Sequence, residues 1–440
     1  MKIAILGYGV EGQAAYEYWR NSDHNSNHER NEITICDLNE ALVVPSGAAA
    51  QLGDDYLANL DRFDVIVRSP HLHPRLIIAA NNQATLDAVT SNTNEFLRVC
   101  PTPNVIGITG TKGKGTTATL IAKMLEASGK RVHLGGNIGI AALDLLKNDI
   151  QPDDCVVLEL SSFQLIDLRQ SPHIAVCLMV TAEHLDWHED IEEYIAAKQQ
   201  LFIHQDEIDI AIYYPANENS VSIADASIGQ QLPYLEQPGA YIDNDTIVID
   251  GQAICQTSEL QLLGTHNLQN VCAAVTAAWQ VTQDATAMRS VLTSFSGLPY
   301  RLEFVRELNG VRYYNDSFGT TPETAIVALQ AFIAPKIIIL GGSDKGASYD
   351  ELGMVVKDKD VRQVVLIGDQ AASIQARLEA VGFDSFVSGG QTMIEIVETA
   401  RGLAQTGDVI LLSTACASFD MFKDYKDRGA QFSQAVQALV

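Results

Sequence analysis

The sequence predicts an α/β protein built on mainly parallel sheets. Short apolar segments alternate with helical patterns, as in KIAIL before EGQAAYEYW and VIGIT before TTATLIAKMLEAS. The other apolar segments are DVIVR, VVLEL, IAVCLMV, KIIIL, VVLIG and VILLS. Such alternation is typical of βαβ units, in which a helix crosses over between parallel strands. Ligands of these folds bind at the carboxyl ends of the strands, so functional residues are expected directly after the apolar segments.

Chain length and turn-forming residues predict three domains. A chain of 440 residues exceeds what one core usually organises. Residues 90–94 with the following PTP, and SFSGLPY at residues 294–300, are typical of linkers. The predicted domains are a Rossmann-like domain at residues 1–93, a central domain of the phosphate-loop ATPase type at residues 94–297, and a second Rossmann-like domain at residues 298–440. Within the central domain, YIDNDTIVIDGQAI predicts a β-hairpin.

Charge and cysteine content argue against several classes of protein. The chain has 29 basic and 55 acidic residues, a net charge of -26, whereas nucleic acids and anionic membranes are bound by basic clusters. Its seven cysteines include no CxxC pair, so neither a disulfide framework nor a zinc ribbon is indicated. The first residues lack the pattern of a signal peptide, and no window of about 18 residues is apolar throughout. We expect a cytoplasmic protein with no nucleic-acid or membrane partner.

A first glycine-rich turn, GYGVEG at residues 7–12, directly follows the first apolar segment. Its three glycines match a dinucleotide-binding fingerprint, and Asp37, after EITIC, stands where an acidic residue bonds ribose hydroxyls. Three interpretations stay open from these residues alone: a nicotinamide or flavin cofactor, another nucleotide, or a tight turn without a ligand.

A second glycine-rich turn, GTKGKGTT at residues 110–117, lies between VIGIT and a predicted helix. It predicts ATP binding, because in a phosphate loop the backbone amides wrap the phosphates and a lysine, here Lys114, reaches the β- and γ-oxygens. Gly115 stands where a hydroxyl residue usually holds magnesium. Thr116 or Thr117 could replace that hydroxyl, although both are also suited to the first turn of a helix.

Polar residues also follow two other apolar segments. Glu159 ends VVLEL, and we expect it to bind metal, because a buried carboxylate is unfavourable unless it is paired or metal-bound. After IAVCLMV, the segment HLDWH contains His184 and His188. A zinc pair there lacks a third ligand at a recognised spacing, so we expect one functional histidine, His184, and a solvated His188. The periodicity of EEYIAAKQQLF by itself predicts a solvated Lys198.

A series of segments along the chain resembles the motifs of the Mur ligases. In order, they are GTKGKGTT, GGNIG (135–139), LELSSFQL (158–165), VTAEHLDWH (180–188), Tyr194 with Lys198, GTHNLQN (264–270), GLPYRLE (297–303), NDS (315–317), LGGSDKG (340–346) and LLSTACASFDMFKDYKDRG (411–429). The resemblance spans all three predicted domains. It implies that residues 1–93 bind a UDP-linked substrate, residues 94–297 bind ATP and residues 298–440 bind an amino acid.

The resemblance implies an ATP-dependent amide ligation with the substrates UDP-N-acetylmuramoyl-L-alanine and D-glutamate. ATP phosphorylates the carboxylate of the UDP-linked substrate, and the amine of D-glutamate attacks the acyl phosphate. Two magnesium ions are implied, together with a carbamate formed from carbon dioxide on Lys198, because carbamylation turns a cation into an anion that can bind metal. We expect a monomer. The nicotinamide interpretation of the first turn gives way to a uridine nucleotide.

The resemblance also implies the site residues. Those implied to be catalytic are Lys114, Lys198, His184 and Glu159. Those implied to bind magnesium are Thr116, Glu159, His184 and carbamylated Lys198. Those implied to bind ATP are Gly110, Thr111, Lys112, Gly113, Lys114, Gly115, Thr116, Thr117, Asn267, Asn270, Arg301 and Asp316. Those implied to bind the UDP-linked substrate are Gly9, Val10, Asp37, Asn137, Ile138, Gly139, Ser161 and Gln164. Those implied to bind D-glutamate are Thr320, Lys345, Ser418, Phe419 and Tyr425.

Three positions depart from the pattern of the family. Gly115 replaces a serine or threonine, Tyr300 replaces a histidine, and Phe318 replaces a lysine. The loss of a cation at position 318 leaves Lys345 to balance more of the negative charge of the substrates. Alternatives therefore stay open: another amino-acid ligase of the Mur or folylpolyglutamate type, a nucleotide-binding homologue with weakened catalysis, and a dehydrogenase.

Two of the implied binding residues also have purely structural interpretations. Asn267 precedes a helical pattern and predicts a helix cap. Thr320 with Glu323 fits a capping box at the start of another helix. A capping residue can also contact a ligand, so these interpretations do not compete with the binding roles.

Overall fold

The computed structural model describes residues 1–21, 31–262, 264, 266–344 and 347–440, apart from the side chain of His266. The chain forms two compact units. The first consists of Met1–Leu260 with Thr265–Ser294, and the second of Gln261–Gly264 with Phe295–Val440. In the described part of the chain, no helix is long and apolar enough to cross a membrane.

The first unit begins with a parallel five-stranded sheet in the order β3-β2-β1-β4-β5. Its strands are β1 (Lys2–Leu6), β2 (Glu32–Asp37), β3 (Ala49–Leu52), β4 (Val65–Arg68) and β5 (Val89–Thr90). Its helices are α1 (Val10–Trp19), α2 (Pro74–Ala80) and α3 (Asn92–Val99). The strand order reverses between β1 and β4, and ligands of parallel sheets bind at such a reversal. The first glycine turn follows β1 and therefore lies at this crevice.

A second parallel sheet of the same unit has the order β11-β10-β9-β6-β8-β7. Its strands are β6 (Val105–Thr109), β7 (Val132–Gly136), β8 (Cys155–Glu159), β9 (Ile174–Cys177), β10 (Ile210–Tyr213) and β11 (Gln230–Pro233). Its helices are α4 (Lys114–Ala127), α5 (Ala142–Leu145), α6 (Ser162–Leu165), α7 (Ile191–Gln199), α8 (Glu218–Ala224), α9 (His266–Trp279) and α10 (Ala285–Leu292). In the register of β6 with β8, Ile108 is opposite Glu159. The second glycine turn and Glu159 therefore leave the sheet at the same edge.

The predicted hairpin is confirmed and belongs to a small antiparallel sheet of three strands. They are β12 (Tyr241–Asp243), β13 (Thr246–Ile249) and β14 (Gln252–Gln256). Short 3-10 helices of the first unit are Leu60–Arg62, Gln83–Ala88, Leu146–Asn148 and Thr257–Glu259.

The second unit has one six-stranded sheet in the order β15-β16-β20-β17-β18-β19. Strand β15 pairs antiparallel with β16, and the other pairs are parallel. The strands are β15 (Glu303–Leu308), β16 (Val311–Asn315), β17 (Lys336–Gly341), β18 (Val361–Ile367), β19 (Phe386–Ser388) and β20 (Val409–Leu412). The helices are α11 (Pro322–Gln330), α12 (Asp350–Asp358), α13 (Ala371–Ala380), α14 (Met393–Leu403) and α15 (Tyr425–Ala438).

Apolar cores cover both faces of these sheets. In β17, Ile338 belongs to one core cluster and Ile337 to another, because successive side chains of a strand point to opposite faces. In the first unit a single cluster extends from Ile3 of β1 to Leu158 of β8. The predicted fold class, α/β with mainly parallel sheets, is confirmed. The division into three domains stays a prediction.

Polar contacts also join the parts of the first unit that hold its two parallel sheets. Arg68, at the end of β4, is buried and bonds both carboxylate oxygens of Asp167, at 2.8 Å from Nε and 2.7 Å from Nη2. The indole nitrogen of Trp187 donates to the carbonyl oxygen of His71 at 2.8 Å. A bidentate arginine–carboxylate pair fixes orientation as well as distance, so the two parts of the unit meet in a defined geometry.

Candidate functional site

The second glycine turn has the backbone shape of a phosphate cradle. Gly113 has φ +90° and precedes α4, and a Cβ built on it would lie 2.1 Å from Oδ1 of Asn270. Asn270 Nδ2 in turn donates to Asn267 Oδ1 at 2.8 Å. The structure thus brings both predicted asparagines to the turn. Asn267 lies inside α9, so its predicted role as the helix cap is wrong.

Two lysines converge on one carbonyl oxygen of this turn. Lys114 Nζ donates to the carbonyl oxygens of Gly110 at 3.0 Å and Thr111 at 2.9 Å. Lys198 Nζ, from α7, donates to the same oxygen of Gly110 at 3.0 Å. Lys112 lies in the same turn but is exposed. Two lysine nitrogens therefore meet where a triphosphate on this turn would place its oxygens.

Lys198 is not the solvated residue that helical periodicity predicted. Only 1% of it is exposed, and its ammonium lies 4.4 Å from the ring centre of Tyr194. Burial, with the neighbouring Lys114 as a second cause, lowers the pKa of Lys198 to about 7. The tertiary structure encloses this lysine, since α7 packs against the turn that follows β6. A large fraction of Lys198 is thus an uncharged amine at neutral pH.

The threonines after the turn are buried in the first turns of α4. Thr117 is fully buried, and its hydroxyl oxygen has no hydrogen-bond partner among the described residues. Thr116 is also buried. Gly115 lies in the same helix. Hydroxyl groups therefore remain available beside the turn, despite the glycine at position 115.

Glu159 is buried at the end of β8, as predicted. Its Oε1 accepts a hydrogen bond from Asn137 Nδ2 at 3.2 Å, and its carbonyl oxygen accepts one from Asn137 N at 2.8 Å. These contacts bring the segment with Asn137, Ile138 and Gly139 to the same edge of the sheet. A buried carboxylate bonded by a neutral amide group is suited to binding a metal.

Of the two expectations for HLDWH, the one of a solvated His188 is wrong. His188, expected to be solvated, is 1% exposed, and its Nε2 lies 2.9 Å from Ser162 Oγ. His184 is exposed and packs on Phe163, with 4.8 Å between ring centres. The backbone amide of His188 bonds the carbonyl oxygen of His184 at 2.9 Å, so this segment is a turn that presents the two imidazoles differently. His184 stays a candidate metal ligand, whereas His188 belongs to the interior.

The first glycine turn is built by close backbone contacts. Gly7 has φ +87°, and a Cβ on Gly12 would lie 2.0 Å from the carbonyl oxygen of Gly7. Asp37 Oδ2 accepts the amide hydrogen of Tyr8 at 2.8 Å, which places this carboxylate in the turn. The side chain of Val10, predicted to contact the UDP-linked substrate, is exposed at the start of α1.

Glu11, which the sequence did not single out, links this turn to the central sheet. Its Oε1 accepts from Gln164 Nε2 at 3.1 Å, and Gln164 Oε1 accepts from the amide of Ser161 at 3.0 Å. Asn92 Nδ2 donates to the carbonyl oxygen of Glu11 at 2.8 Å. Burial raises the pKa of Glu11, against the lowering effect of these amides. Gln164 is thus joined to the first glycine turn through Glu11, and the substrate-binding role of Ser161 and Gln164 stays a prediction.

The second unit brings together several of the residues predicted to bind ATP or D-glutamate. Arg301 lies over the ring of Phe318 at 4.9 Å, and Phe318 packs edge-on against Tyr425 at 5.3 Å. Asp316 Oδ2 accepts from Ser413 Oγ at 2.6 Å, and burial raises the pKa of Asp316 to about 6. Phe318 therefore replaces the family's lysine with a ring that faces an arginine.

The remaining residues predicted to bind D-glutamate are placed differently. Phe419 is exposed, and its amide donates to Ser343 Oγ at 3.0 Å, whereas Ser418 is buried. The helix near Thr320 is capped by Thr321 in a capping box with Thr324, so the predicted box of Thr320 with Glu323 is wrong. Proline at the first helical position moves the cap to the residue directly before it. Lys345 lies outside the described residues.

Comparison with known proteins finds two domains of one family in the chain. Residues 108–278 match the Mur ligase middle domain, and residues 300–416 match the glutamate ligase domain of Mur ligases. The model also resembles the crystal structure of the MurF ligase from Thermotoga maritima in complex with ADP. That likeness has a TM-score of 0.57 and 17% sequence identity, and covers 99% of this chain and 94% of the other.

Curated relatives match over the whole chain. The UDP-N-acetylmuramoylalanine–D-glutamate ligase of Clostridium kluyveri is 38% identical, over 99% of this chain and 96% of the relative. The ligase of the same name from Clostridium tetani is 35% identical, over 100% of this chain and 97% of the relative. Such identity over complete chains, together with both matching domains, shows that the protein belongs to the Mur ligase family.

Proposed function

We propose that the protein is an ATP-dependent ligase that joins D-glutamate to UDP-N-acetylmuramoyl-L-alanine. The observation that carries this proposal is the convergence of Lys114 and Lys198 on the carbonyl oxygen of Gly110, each at 3.0 Å, beside the buried Glu159. This is an arrangement for a triphosphate and its metal. The names of the full-length relatives supply the two substrates.

The reaction that we propose has two steps. A carboxylate is a poor electrophile, so a carboxylate oxygen of the UDP-linked substrate first attacks the γ-phosphorus of ATP and displaces ADP. The amine of D-glutamate then attacks the acyl carbon, phosphate leaves, and the amine loses one proton. Lys114 stabilises the negative charge that moves onto the oxygen between the β- and γ-phosphorus, since a fixed cation in a partly buried site needs little reorganisation.

The residues at the second turn fit magnesium. Glu159 offers a buried carboxylate, and the Thr117 hydroxyl lacks a partner among the described residues. Thr116, Glu159, His184 and modified Lys198 would hold the metal, and two metal sites are proposed. Bound magnesium supplies charge neutralisation for the phosphates. In this proposal the hydroxyl groups of Thr116 and Thr117 compensate for Gly115.

We further propose that Lys198 is carbamylated. Its amine attacks the carbon of carbon dioxide, forms an N–C bond and releases one proton, which leaves a carbamate anion. Only the uncharged amine is nucleophilic, and burial lowers the pKa of Lys198 to about 7. The modification turns a buried cation beside Lys114 into an anion able to bind magnesium. Because the proposed substrates are ATP and a UDP-linked compound, we propose that the enzyme acts in the cytoplasm, as a monomer.

An ADP-release assay with different amino acids tests the proposed function. The full chain with ATP, magnesium and UDP-N-acetylmuramoyl-L-alanine should release ADP with D-glutamate and not with L-glutamate, L-alanine or L-lysine. Hydroxylamine should trap the acyl phosphate as a hydroxamate when D-glutamate is left out. Turnover with another amino acid, or with a folate substrate, would instead support a different ligase of the same superfamily.

A homologue with weakened catalysis is the second candidate, and the replacement of a lysine by Phe318 favours it. The ring of Phe318 is occupied by Arg301 at 4.9 Å, so the cation of this region is displaced rather than lost. A homologue with weakened catalysis would bind ATP but would release no ADP when both substrates are present. A dehydrogenase is eliminated if titration with NAD gives no binding.

A further inference from the structure

We propose that His73, His188 and Glu193 form a binding site for one divalent transition-metal ion, with Zn²⁺ as its best match. The site lies where α2, the HLDWH turn and α7 meet inside the first unit. Its residues differ from those proposed to hold magnesium. The inference does not depend on the proposed reaction, and its test is a metal titration without nucleotide.

The separations of the Glu193 carboxylate from the two imidazole nitrogens suit a tetrahedral ion. His73 Nε2 lies 3.2 Å from each carboxylate oxygen of Glu193, and His188 Nδ1 lies 3.3 Å from Glu193 Oε2. Atoms bound to tetrahedral Zn²⁺ at about 2.0–2.1 Å are about 3.3–3.4 Å apart. The three atoms all lie within 4.8 Å of one another. Two imidazoles and one carboxylate leave a fourth position for water, as in many zinc sites.

His188 provides an independent indication of a ligand. It is 1% exposed, and its Nδ1, 3.3 Å from Glu193 Oε2, makes no hydrogen bond within the described parts of the chain. Its other ring nitrogen, Nε2, lies 2.9 Å from Ser162 Oγ. With the ring proton on Nε2 and donated to that hydroxyl, Nδ1 presents a lone pair. Histidine ligands of metals are usually oriented by such a second hydrogen bond.

The charge state of the cluster also suits a divalent cation. Burial lowers the pKa of His188 to about 4 and also lowers that of His73, so both imidazoles are neutral at neutral pH. Burial alone would raise the pKa of Glu193, but hydrogen bonds from the Glu189 amide and His73 outweigh it and hold the pKa below its ordinary value. Two neutral nitrogens and one carboxylate are the ligating forms of these groups.

We expect His73 to be the weakest of the three ligands, because its second ring nitrogen already accepts a hydrogen bond. Its Nδ1 accepts the amide hydrogen of Arg75 at 3.1 Å and so caps α2. In the metal-free protein this ring therefore carries its proton on Nε2, facing Glu193. When Nε2 binds metal, that proton moves to Nδ1 and the capping hydrogen bond is lost. Loss of His73 should therefore reduce metal affinity less than loss of Glu193 does.

Isothermal titration of the metal-stripped full chain with Zn²⁺ tests the inference. The wild type should bind one equivalent that Glu193→Gln abolishes and that His73→Asn weakens by about tenfold. Asparagine can keep the cap of α2, because its side-chain oxygen can accept the Arg75 amide hydrogen. His204→Ala should leave this equivalent unchanged. His188→Ala is checked by circular dichroism as well, because His188 is buried.

Binding of Co²⁺ gives a second readout, which a cluster held only by hydrogen bonds would not produce. Co²⁺ in a tetrahedral site absorbs visible light far more strongly than octahedral Co²⁺, and Glu193→Gln should remove that absorption. Binding stoichiometry and spectra that are the same in wild type, His73→Asn and Glu193→Gln would overturn the site. The three residues would then act as a hydrogen-bonded contact between the two parts of the unit. Either result leaves the test of the ligase reaction unaffected.

Discussion

The two glycine turns of the first unit share a backbone design but differ in charge. Each follows a parallel strand and leads into a helix, at residues 7–12 after β1 and residues 110–117 after β6. At the second turn, two lysine ammonium groups lie 3.0 Å from one carbonyl oxygen. At the first turn, carboxylates take their place: Asp37 accepts an amide hydrogen of the turn at 2.8 Å, and Glu11 lies within it.

This difference indicates that the glycines determine the backbone shape of a nucleotide-binding turn. Residues distant in sequence contribute the charge and hydrogen-bonding groups that select its ligand. Lys198 is far from the second turn along the chain and reaches it through α7. Gln164 reaches the first turn in the same way through α6. A turn that carries Lys114 and residues able to hold a metal ion is suited to a triphosphate, and a turn bordered by carboxylates and amides is suited to a less charged nucleotide part.

Removal of the cation from the second turn should have the largest effect. Lys114→Met should lower kcat for ADP release by about 10²–10³-fold, because a charge that stabilises the transferring phosphoryl group is lost. Lys112→Met, at an exposed position of the same turn, is the matched control and should change the rate little. Equal rates in both variants would show that the comparison of charges is wrong.

Lys198→Ala should lose most activity, by about 10²-fold, and regain part of it with added formate or acetate. A short carboxylate can occupy the space of the proposed carbamate and supply its charge. Steady-state ADP release with and without the carboxylate measures this, and Lys123→Ala on α4 is the control. Full activity of Lys198→Ala without added carboxylate, or of the wild type in buffer freed of carbon dioxide, would rule out the modification.

Gly12→Ala should destabilise the first turn by about 1–3 kcal/mol, because its Cβ would overlap the carbonyl oxygen of Gly7. Gly9→Ala is a matched control, since Gly9 has φ -76° and a Cβ there meets nothing within 4 Å. Urea denaturation followed by circular dichroism compares the two. If both variants unfold at the same urea concentration, the close backbone contact does not determine the turn.

Glu11→Gln should have the smallest effect, a decrease of about two- to fivefold in KM for the UDP-linked substrate with kcat unchanged. The substitution removes a negative charge from the turn predicted to bind the UDP-linked substrate, which is itself an anion, and a partly exposed charge is worth about 0.2–1 kcal/mol. Glutamine can still accept the hydrogen bond from Gln164. A rise in KM would mean that the carboxylate helps to bind the substrate.

Local pattern predicted the elements of the fold but not the enclosure of particular side chains. The apolar segments that precede GYGVEG, GTKGKGTT and Glu159 all form strands, because their runs of apolar residues suit buried parallel strands. Helical periodicity failed at Lys198, since it describes one helix and not what packs upon it. The same limit explains His188, which is covered by residues from other elements.

The boundaries of helices also show which features the local sequence predicts and which it does not. Glycine after α4 was a reliable stop signal, because Gly129 has φ +87°, a conformation that favours glycine. The caps near Asn267 and Thr320 were wrongly predicted, since several residues in each segment can cap and the choice depends on where the chain turns. Lys345 lies outside the described residues, so its predicted role stays a prediction.

The amino-acid sequence by itself determined the alternation of strands and helices, both glycine turns and the motifs of a Mur ligase, because each depends on residues that are neighbours along the chain. Only the tertiary structure decided that Lys198 is buried beside Lys114, that Glu11 of α1 bonds Gln164 of α6, and that His73 meets His188 and Glu193. These contacts join residues far apart in sequence. Burial then changes their charge states, which no local pattern contains.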